Sequence, residues 1–352
     1  MTGADDGAPR VARSPKAAAR PRPPAMHDVA RLAGVSHQTV SRVLNEHPNV
    51  REETRQRVLD AIAELGYRRN SAARALVTRR SGVLGVVMIS APEFGPTSTI
   101  IALESAAHAA GYSVSFTTLP NFSSEQISRV FEHFFALGVE GVVVVAPLSS
   151  VAETIRPFAL QVPVVTIAAG QGPGQEFHPI SVDQQLGARL AVRHLVELGH
   201  REIVHVRGPR DWFDAQERCL GWRAELEDAG LAVPEPIEAD WSGARGFEIG
   251  RALVREGLPS AVFAANDQLA LGMLRAFAEA GVSVPGDVSV VGFDDIPGSA
   301  YFQPPLTTVR QEFDQLGRKA IGMLLAAITG DPLDHTPIPP RLVPRASTGP
   351  AK

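Results

Sequence analysis

Cysteine is almost absent from this sequence, since Cys219 is the only one in 352 residues. A single thiol excludes an internal disulfide and a cysteine-rich zinc site. The N-terminus also lacks the long apolar core that a signal peptide or a membrane span requires. These absences predict a cytoplasmic protein without a membrane partner.

The charges are divided unevenly along the chain. Residues 1–80 contain 15 Lys and Arg against 8 Asp and Glu, whereas the other 272 residues contain 19 and 30. A chain of this length can bury more than one core. We therefore expect a small basic head and a large acidic body. Phosphate repels an acidic body, so contact with nucleic acid would be confined to the head.

The first 25 residues are rich in Ala, Pro and Arg and have almost no large apolar side chain. Such a segment cannot bury enough surface to offset the entropy of ordering, so we expect a disordered tail. Its basic residues either add nonspecific attraction to phosphate or have no role. They are Arg10, Arg13, Lys16, Arg20 and Arg22.

Residues 27–45, HDVARLAGVSHQTVSRVLN, are typical of two short helices that cross at a glycine turn. Gly34 supplies the turn, and Ser36 is placed to cap the second helix. Side chains pointing away from the apolar face of that helix suit direct reading of base edges in a major groove. These are His37, Gln38, Ser41 and Arg42. Each alone would be an ordinary solvated residue, but the turn, cap and spacing together favour DNA binding.

A third helix is predicted from about Glu52 to Leu65, ending at Gly66. Its expected buried stripe consists of Val58, Leu59, Ile62 and Leu65. The first and third helices begin without a good capping side chain, at Ala25 and Arg51. Each weak cap costs about 1 kcal/mol.

The segment that follows, residues 67–82, has an alanine-rich stretch too short to form a stable helix alone. VSHQTVSRVLN, then LGY at residues 65–67, Asn70 and the stretch ending at Leu76 resemble the lactose-repressor (LacI/GalR) family of bacterial transcription regulators. The resemblance continues to about residue 348. It implies a homodimer on a pseudo-palindromic double-stranded operator, with a hinge that folds in the minor groove through Asn70, Ala73 and Leu76. Leu76 would wedge into the central base step, although a plain packing role between domains is the alternative.

The body alternates apolar runs with amphipathic helices in two series, which predicts two doubly wound parallel-sheet lobes. The resemblance implies a periplasmic-binding-protein-like body behind an all-α helix-turn-helix head. The expected divisions are a tail at 1–25, a DNA-binding domain at 26–69, a hinge at 70–81, and an effector-binding and dimerisation domain at 82–348. Within the last, the N-lobe comprises about 82–181 and 311–339, and the C-lobe about 182–310 and 340–348.

Ligands of open α/β sheets sit beyond the carboxyl ends of the strands, so two facing lobes predict a cleft between them. Asn266 and Asp294 each follow a strand, and Arg218 lies in a helix soon after another. By the resemblance, the effector contacts are Gly95, Pro96, Thr99, Arg218, Trp241, Asn266, Asp294, Gln311 and Phe313. The alternatives are a turn for Asp294 with Asp295, a helix cap for Asn266 and a core position for Trp241.

One position departs from the resemblance. After VPVVTI, where the resemblance implies an acidic residue that contacts sugar hydroxyls, this chain has Ala168. A missing acceptor changes specificity more than overall binding. The pattern around Trp241 suggests a galactoside or a related glycoside, but Ala168 leaves the sugar unnamed.

These features predict a dimeric, sugar-responsive repressor of carbohydrate-utilisation genes, associated with the nucleoid. One alternative is a corepressor-activated regulator that senses a non-sugar metabolite. A solute-binding protein without a DNA role is the second alternative, against which the helix-turn-helix argues. Prolines after Leu325 exclude a terminal coiled coil, so we expect a dimer rather than a tetramer.

An enzyme is not expected, and neither is a cofactor or a metal. GQGPGQ at residues 170–175 lacks the dinucleotide-binding spacing and does not open a helix. His194, His200 and His205 lack a second ligand cluster or a nucleophile, so we expect them to be surface or core residues.

Overall fold

The computed structural model describes residues 24–45, 47–67, 80–89, 93–119, 123–145, 151–170 and 177–352. The chain divides between residues 78 and 79 into two compact units, a head and a body. The predicted hinge residues Asn70, Ala73 and Leu76 lie outside the described residues, as do residues 1–23 and 171–176. In the part of the chain that is described, every helix is too short or too polar to span a bilayer.

The head consists of three helices, α1 (Met26–Ala33), α2 (His37–Leu44) and α3 (Glu52–Leu65). Gly34 and Gly66 follow α1 and α3 with φ of 64° and 60°, the left-handed conformation that glycine adopts without strain. Small and branched side chains let the helices approach closely. The buried core is formed by Val29, Ala30, Ala33, Val40, Val43, Val58, Ala61 and Tyr67.

The predicted buried stripe of α3 was wrong at Leu59. That side chain is 45% exposed, while Val58 and Ala61 are buried and Ile62 and Leu65 pack partly against the core. Positions 58, 61, 62 and 65 follow the i, i+3, i+4, i+7 spacing of one helix face. Leu59 lies about 100° around the helix from Val58, and it therefore faces solvent.

The expected weak caps of the head are confirmed. Ser36 caps α2, because its Oγ accepts from the Thr39 amide at 3.1 Å. Ala25 and Arg51 provide no side-chain cap for α1 and α3. In α1, Asp28 compensates in part, since its Oδ2 accepts from the Ala25 amide at 3.0 Å.

The N-lobe of the body contains a five-stranded parallel sheet in the order β2-β1-β3-β4-β5. Its strands are β1 (Val83–Ile89), β2 (Ser113–Leu119), β3 (Val142–Val145), β4 (Val164–Ile167) and β5 (Pro179–Ile180). Three helices connect them, α4 (Phe94–Ala109), α5 (Ser124–Leu137) and α6 (Val151–Ala159). β3 and β4 are buried along their whole length, as expected for central strands covered on both faces.

The C-lobe contains a four-stranded parallel sheet in the order β7-β6-β8-β9. Its strands are β6 (Ile203–Arg207), β7 (Ile237–Glu238), β8 (Ala261–Ala264) and β9 (Ser289–Val291). Its helices are α7 (Gln184–Glu197), α8 (Phe213–Asp228), α9 (Gly243–Glu256) and α10 (Asp267–Glu279). The two doubly wound lobes and the helical head confirm the predicted fold class.

After the C-lobe sheet the chain returns to the N-lobe and then crosses back. Strands β10 (Thr308–Arg310) and β11 (Arg341–Val343) pair antiparallel, and between them lies α11 (Phe313–Thr329). Leu316, Ile321 and Leu324 of α11 belong to the N-lobe core. Gly317 is required where α11 meets α4, since a Cβ there would lie 2.5 Å from the Ala102 carbonyl carbon.

Helix α4 begins at Phe94, just before three of the predicted effector residues. Pro96 falls in the first turn, where a missing amide hydrogen costs nothing because that amide has no partner within the helix. As a result, Gly95, Pro96 and Thr99 lie on the first turns of this helix.

Candidate functional site

The surface predicted to read DNA lies on α2. His37, Gln38 and Arg42 are exposed, and Ser41 is half-buried. Ser41 Oγ accepts from the Asn45 side-chain amide at 3.4 Å. Val40 and Val43 on the opposite face are buried in the head core, which fixes how α2 presents its polar face. A role for these four residues in base reading stays a prediction.

The body contains a cavity of about 690 Å³ between its two lobes. All nine residues predicted to bind the effector line it: Gly95, Pro96, Thr99, Arg218, Trp241, Asn266, Asp294, Gln311 and Phe313. Three of the C-lobe residues come within three residues of a strand end, where ligands of a parallel sheet bind. Trp241 follows β7, Asn266 follows β8 and Asp294 follows β9. Their contact with a ligand stays a prediction.

Arg218, on α8, is the central cation of the cavity and is only 4% exposed. Its guanidinium lies 3.8 Å from the ring centroid of Phe293 and 5.6 Å from that of Trp241. Nε donates to Gln184 Oε1 at 2.9 Å, and Nη1 donates to the Ala265 carbonyl. Aromatic stacking and hydrogen bonds together hold this buried charge in one orientation.

Carboxylates face the guanidinium on its remaining side. Arg218 Nη2 lies 3.6 Å from Asp294 Oδ1 and 4.0 Å from Asp214 Oδ2. Asp294 adopts a φ of 107°, in the region that favours glycine, so its backbone is strained. Residues are held in such conformations mainly at sites of function.

A chain of side-chain amides connects Asp294 to the segments that cross between the lobes. Gln311 Nε2 donates to Asp294 Oδ1 at 2.7 Å, and Gln184 Nε2 donates to Gln311 Oε1 at 2.8 Å. Gln184 begins α7 just after the first crossing, and Gln311 lies in the second crossing, between β10 and α11. With Arg218, these side chains form one buried polar network.

Two buried carboxyl groups in this region have pKa values above the ordinary value for aspartate. Burial raises the pKa of Asp294 to about 6, while Arg218 and the bond from Gln311 oppose the rise. Burial and the nearby charge of Asp294 raise the pKa of Asp267 to about 8. Asp267 is fixed by the Ile296 amide, which donates to Oδ2 at 2.9 Å, and by Thr308 Oγ1 at 2.5 Å from Oδ1. Shifts of this kind are concentrated at functional sites.

Asn266 and Trp241 line the cavity, and each also has the alternative structural role that the sequence suggested. Asn266 caps α10, since its Oδ1 accepts from the Leu269 amide at 2.8 Å, and its Nδ2 donates to the Trp241 carbonyl at 3.1 Å. Trp241 packs in the C-lobe core and against Trp212, with ring centroids 5.5 Å apart. Both residues therefore shape the cavity and stabilise the lobe.

The N-lobe wall is mainly apolar. It includes Val145 and Ile167 at the ends of β3 and β4, and Phe313, which packs edge-on against Phe94 with centroids 5.8 Å apart. The Thr99 hydroxyl donates its hydrogen to the Gly95 carbonyl oxygen at 2.9 Å. Ala168, which replaces the expected acidic residue, also lines this wall.

Sequence reasoning missed several polar residues of the cavity. Glu93, Gln184 and Asp214 line it together with the predicted set. Asp214 lies one turn before Arg218 on α8, so helical spacing from a predicted residue was the signal that would have found it. Glu93 lies two residues before the predicted Gly95, so its position in the sequence was also a signal, whereas Gln184 carries no comparable local signal.

The three histidines noted in the sequence have structural positions. His205 is fully buried against Phe263, and burial lowers the pKa of its imidazole to about 3. His200 contacts Ser289 and the Gly349 carbonyl, each at 3.0 Å, and His194 contacts Thr348 at 2.9 Å. Within the described residues, no group of three or more potential metal ligands is assembled.

Comparison with known proteins agrees with this architecture. Residues 25–70 match the family model described as bacterial regulatory proteins, lacI family, and residues 192–348 match the periplasmic binding protein-like domain. The chain is 35% identical over 331 residues to the lactose operon repressor of Escherichia coli (strain K12), which covers 93% of this chain and 91% of that protein. It is 32% identical over 309 residues to the ribose operon repressor of the same organism, with 86% and 93% covered.

A solved structure of the Lac repressor dimer bound to operator and the anti-inducer ONPF has a TM-score of 0.85 to this chain, at 35% identity. The match covers 93% of this chain and 100% of that one. The family resemblance predicted from the sequence is thereby confirmed. This chain belongs to the LacI family, and it is a DNA-binding transcriptional regulator rather than an enzyme.

Proposed function

We propose that this regulator is a repressor of carbohydrate-utilisation genes and is switched by a small sugar in the cavity of the body. The observation that carries the proposal is the assembly of all nine predicted effector residues around one cavity. They come from α4, α8, α11 and four strand ends or crossings of the two lobes. A sugar needs paired donors and acceptors and an aromatic face, which Arg218, Asp294 and Trp241 supply.

The polar network suggests how the ligand is coupled to the lobes. A ligand that hydrogen-bonds Arg218 or Asp294 competes with the bonds these side chains make to Gln184 and Gln311. Both glutamines lie at crossings between the lobes, so the relative position of the lobes responds to the ligand. To change the ratio of the two lobe arrangements from 1:99 to 99:1, the ligand must bind one arrangement more favourably than the other by about 5.5 kcal/mol.

Two relatives support a sugar as the ligand class. Two of the proteins reported above are named as repressors of lactose and ribose operons. A corepressor-activated response to a non-sugar metabolite is the second candidate, since the geometry fits ligand-induced binding as well as release.

On the DNA side, we propose that a homodimer binds a pseudo-palindromic operator through His37, Gln38, Ser41 and Arg42. Asn70, Ala73 and Leu76 would enter the minor groove, with Leu76 as the wedge. In one solved structure similar to this chain, the Lac repressor is a dimer bound to operator. Such a protein acts on the nucleoid, in the cytoplasm.

The test is a thermal-shift screen of the full chain against neutral sugars, followed by gel shifts with operator DNA selected from a random library. We expect one class of sugar to raise the melting temperature and to change operator affinity at least tenfold. Loss of DNA binding on adding the sugar indicates induction, and a gain indicates corepression. Operator binding that no cavity ligand changes would contradict the proposal.

A further inference from the structure

Glu93 precedes helix α4 and lines the cavity, but the proposed set of sugar contacts does not include it. As the N-cap residue it makes no side-chain bond to the free amides of α4. Its Oε2 atom is buried and has no hydrogen-bond partner among the described residues. A buried carboxylate oxygen without a donor is unfavourable, so a ligand donor at this point gains affinity.

Apart from Ser181, the rest of the N-lobe wall offers little to a ligand hydroxyl. Ala168, at the end of β4, has no polar side-chain atom. Thr99 donates its hydroxyl hydrogen to the Gly95 carbonyl. Among the described lining residues of this wall, Glu93 is therefore the one carboxylate acceptor.

A second buried group lacks a partner on the opposite lobe. Trp241 is 5% exposed and lines the cavity, and its Nε1 donor has no hydrogen-bond partner among the described residues. One wall thus holds an unpaired acceptor and the other an unpaired donor. A hydroxyl group both donates and accepts, so a polyhydroxyl ligand complements the two walls together.

The charges of the cavity disfavour an anion. Arg218 is its only cationic side chain among the described lining residues, against the carboxyl groups of Glu93, Asp214 and Asp294. The guanidinium already donates to Gln184 and Ala265 and faces Asp294 and Asp214 on its remaining side. A phosphate or carboxylate on the ligand would therefore meet like charges in a poorly hydrated space.

We propose that Glu93 is a specificity-determining residue, which accepts a hydrogen bond from a hydroxyl of a neutral glycoside and excludes phosphorylated and acidic sugars. This inference rests on the proposed function, because it takes the cavity as the effector site. In this chain Glu93 supplies, from the start of α4, the acceptor that Ala168 lacks at the end of β4.

The test is isothermal titration of the full chain with lactose, ribose and the methyl glycosides of galactose and glucose, compared with galactose 6-phosphate and galacturonate. We expect a neutral sugar to bind at least tenfold more tightly than either anion. Glu93→Gln keeps the shape but removes the charge, and charge-assisted bonds are about twice as strong as neutral ones. This variant should bind the neutral sugar roughly tenfold more weakly and the anions more tightly.

Glu132→Gln is the matched control, since Glu132 is an exposed glutamate on α5 of the same lobe. It should leave every affinity within twofold. Tighter binding of an anionic sugar by the unsubstituted chain, no binding of any neutral sugar in the panel, or an equal loss for both classes in Glu93→Gln would overturn the proposal. Release of operator by a sugar phosphate would overturn it while leaving the proposed function intact.

Discussion

The head and the body of this protein present polar side chains in opposite ways. In the head, His37, Gln38 and Arg42 are exposed on one face of a helix whose other face is buried. In the body, Arg218 and Asp294 are buried and are bonded or ion-paired to other side chains. The head is therefore organised by local helix geometry, and the cavity by contacts between distant segments.

Because of this difference, substitutions in the head and in the body should have different effects. A change on the surface of α2 should alter DNA affinity and leave the cavity unchanged. A change in the buried network should alter ligand binding, and it should also disturb neighbours that depend on the same bonds. Four predictions, from the largest expected effect to the smallest, test this separation.

The largest effect is expected for Arg218→Ala in the body. The substitution leaves Asp294 and Asp214 without their cation, and breaking a buried pair costs about 3–5 kcal/mol. We expect sugar affinity to fall more than 100-fold by titration, and operator affinity in a gel shift without sugar to change as well, because Arg218 bonds to Gln184 at a crossing between the lobes. Arg210→Ala is the control, because Arg210 pairs with Glu238 at the surface. Retained sugar binding in Arg218→Ala would contradict the assigned role.

Next is Arg42→Ala in the head. If Arg42 reads a guanine, its loss should cost about 1–3 kcal/mol of operator affinity and relax specificity at one base position. Sugar affinity should not change. The measurement is a gel-shift series over operators with single base changes. An equal loss of affinity on every operator sequence would show that Arg42 contacts phosphate instead. That equal loss is what we expect of the control variant, Arg57→Ala on α3.

The third prediction concerns pH and the buried acid Asp267. Its pKa is raised to about 8 in the folded protein, above the ordinary value of 3.8, so the folded state binds more protons than the unfolded state between these values. Stability therefore falls as pH rises through this window, by up to about 1.4 kcal/mol per pH unit. Asp267→Asn should flatten this slope in urea unfolding at pH 5 to 7.5. Asp211→Asn, at an exposed position, should retain it.

The smallest effect is expected for Ala25→Ser at the start of α1. A hydroxyl there would accept from a free amide, as Ser36 does in α2, and would stabilise the head by about 1 kcal/mol. Hydrogen exchange of the α1 amides in the full chain should slow severalfold. Ser36→Ala should have the opposite effect on α2. Unchanged exchange in both variants would show that caps do not limit head stability.

Much of this structure was predictable from the sequence, but some details were not. The spacing of apolar residues in α3 is consistent with burial of either of two neighbouring helix faces. Only packing against the other helices places Val58 inward and Leu59 outward. The start of α4 at Phe94 was not predicted either, although Pro96 suits the first turn of a helix.

The cavity residues show the same limit. Asn266 and Asp294 were predictable because they follow strands of a parallel sheet, whose carboxyl ends share one edge. Glu93 was missed, although it lies only two residues before Gly95, which was predicted to contact the effector. The Gln184–Gln311 bond joins residues 127 positions apart, a distance over which no periodicity carries information.

That bond between Gln184 and Gln311 has a consequence for how such a regulator is redesigned. The two amides belong to the network that contacts Arg218 and Asp294, and they also lie where the chain passes from one lobe to the other. If the cavity binds its effector as proposed, recognition and transmission use the same atoms. Retargeting the cavity to a new sugar through these residues would also reset the balance between the two states in the absence of sugar. Changes at Glu93, outside that network, offer a way to alter ligand choice while leaving the resting level of repression unchanged.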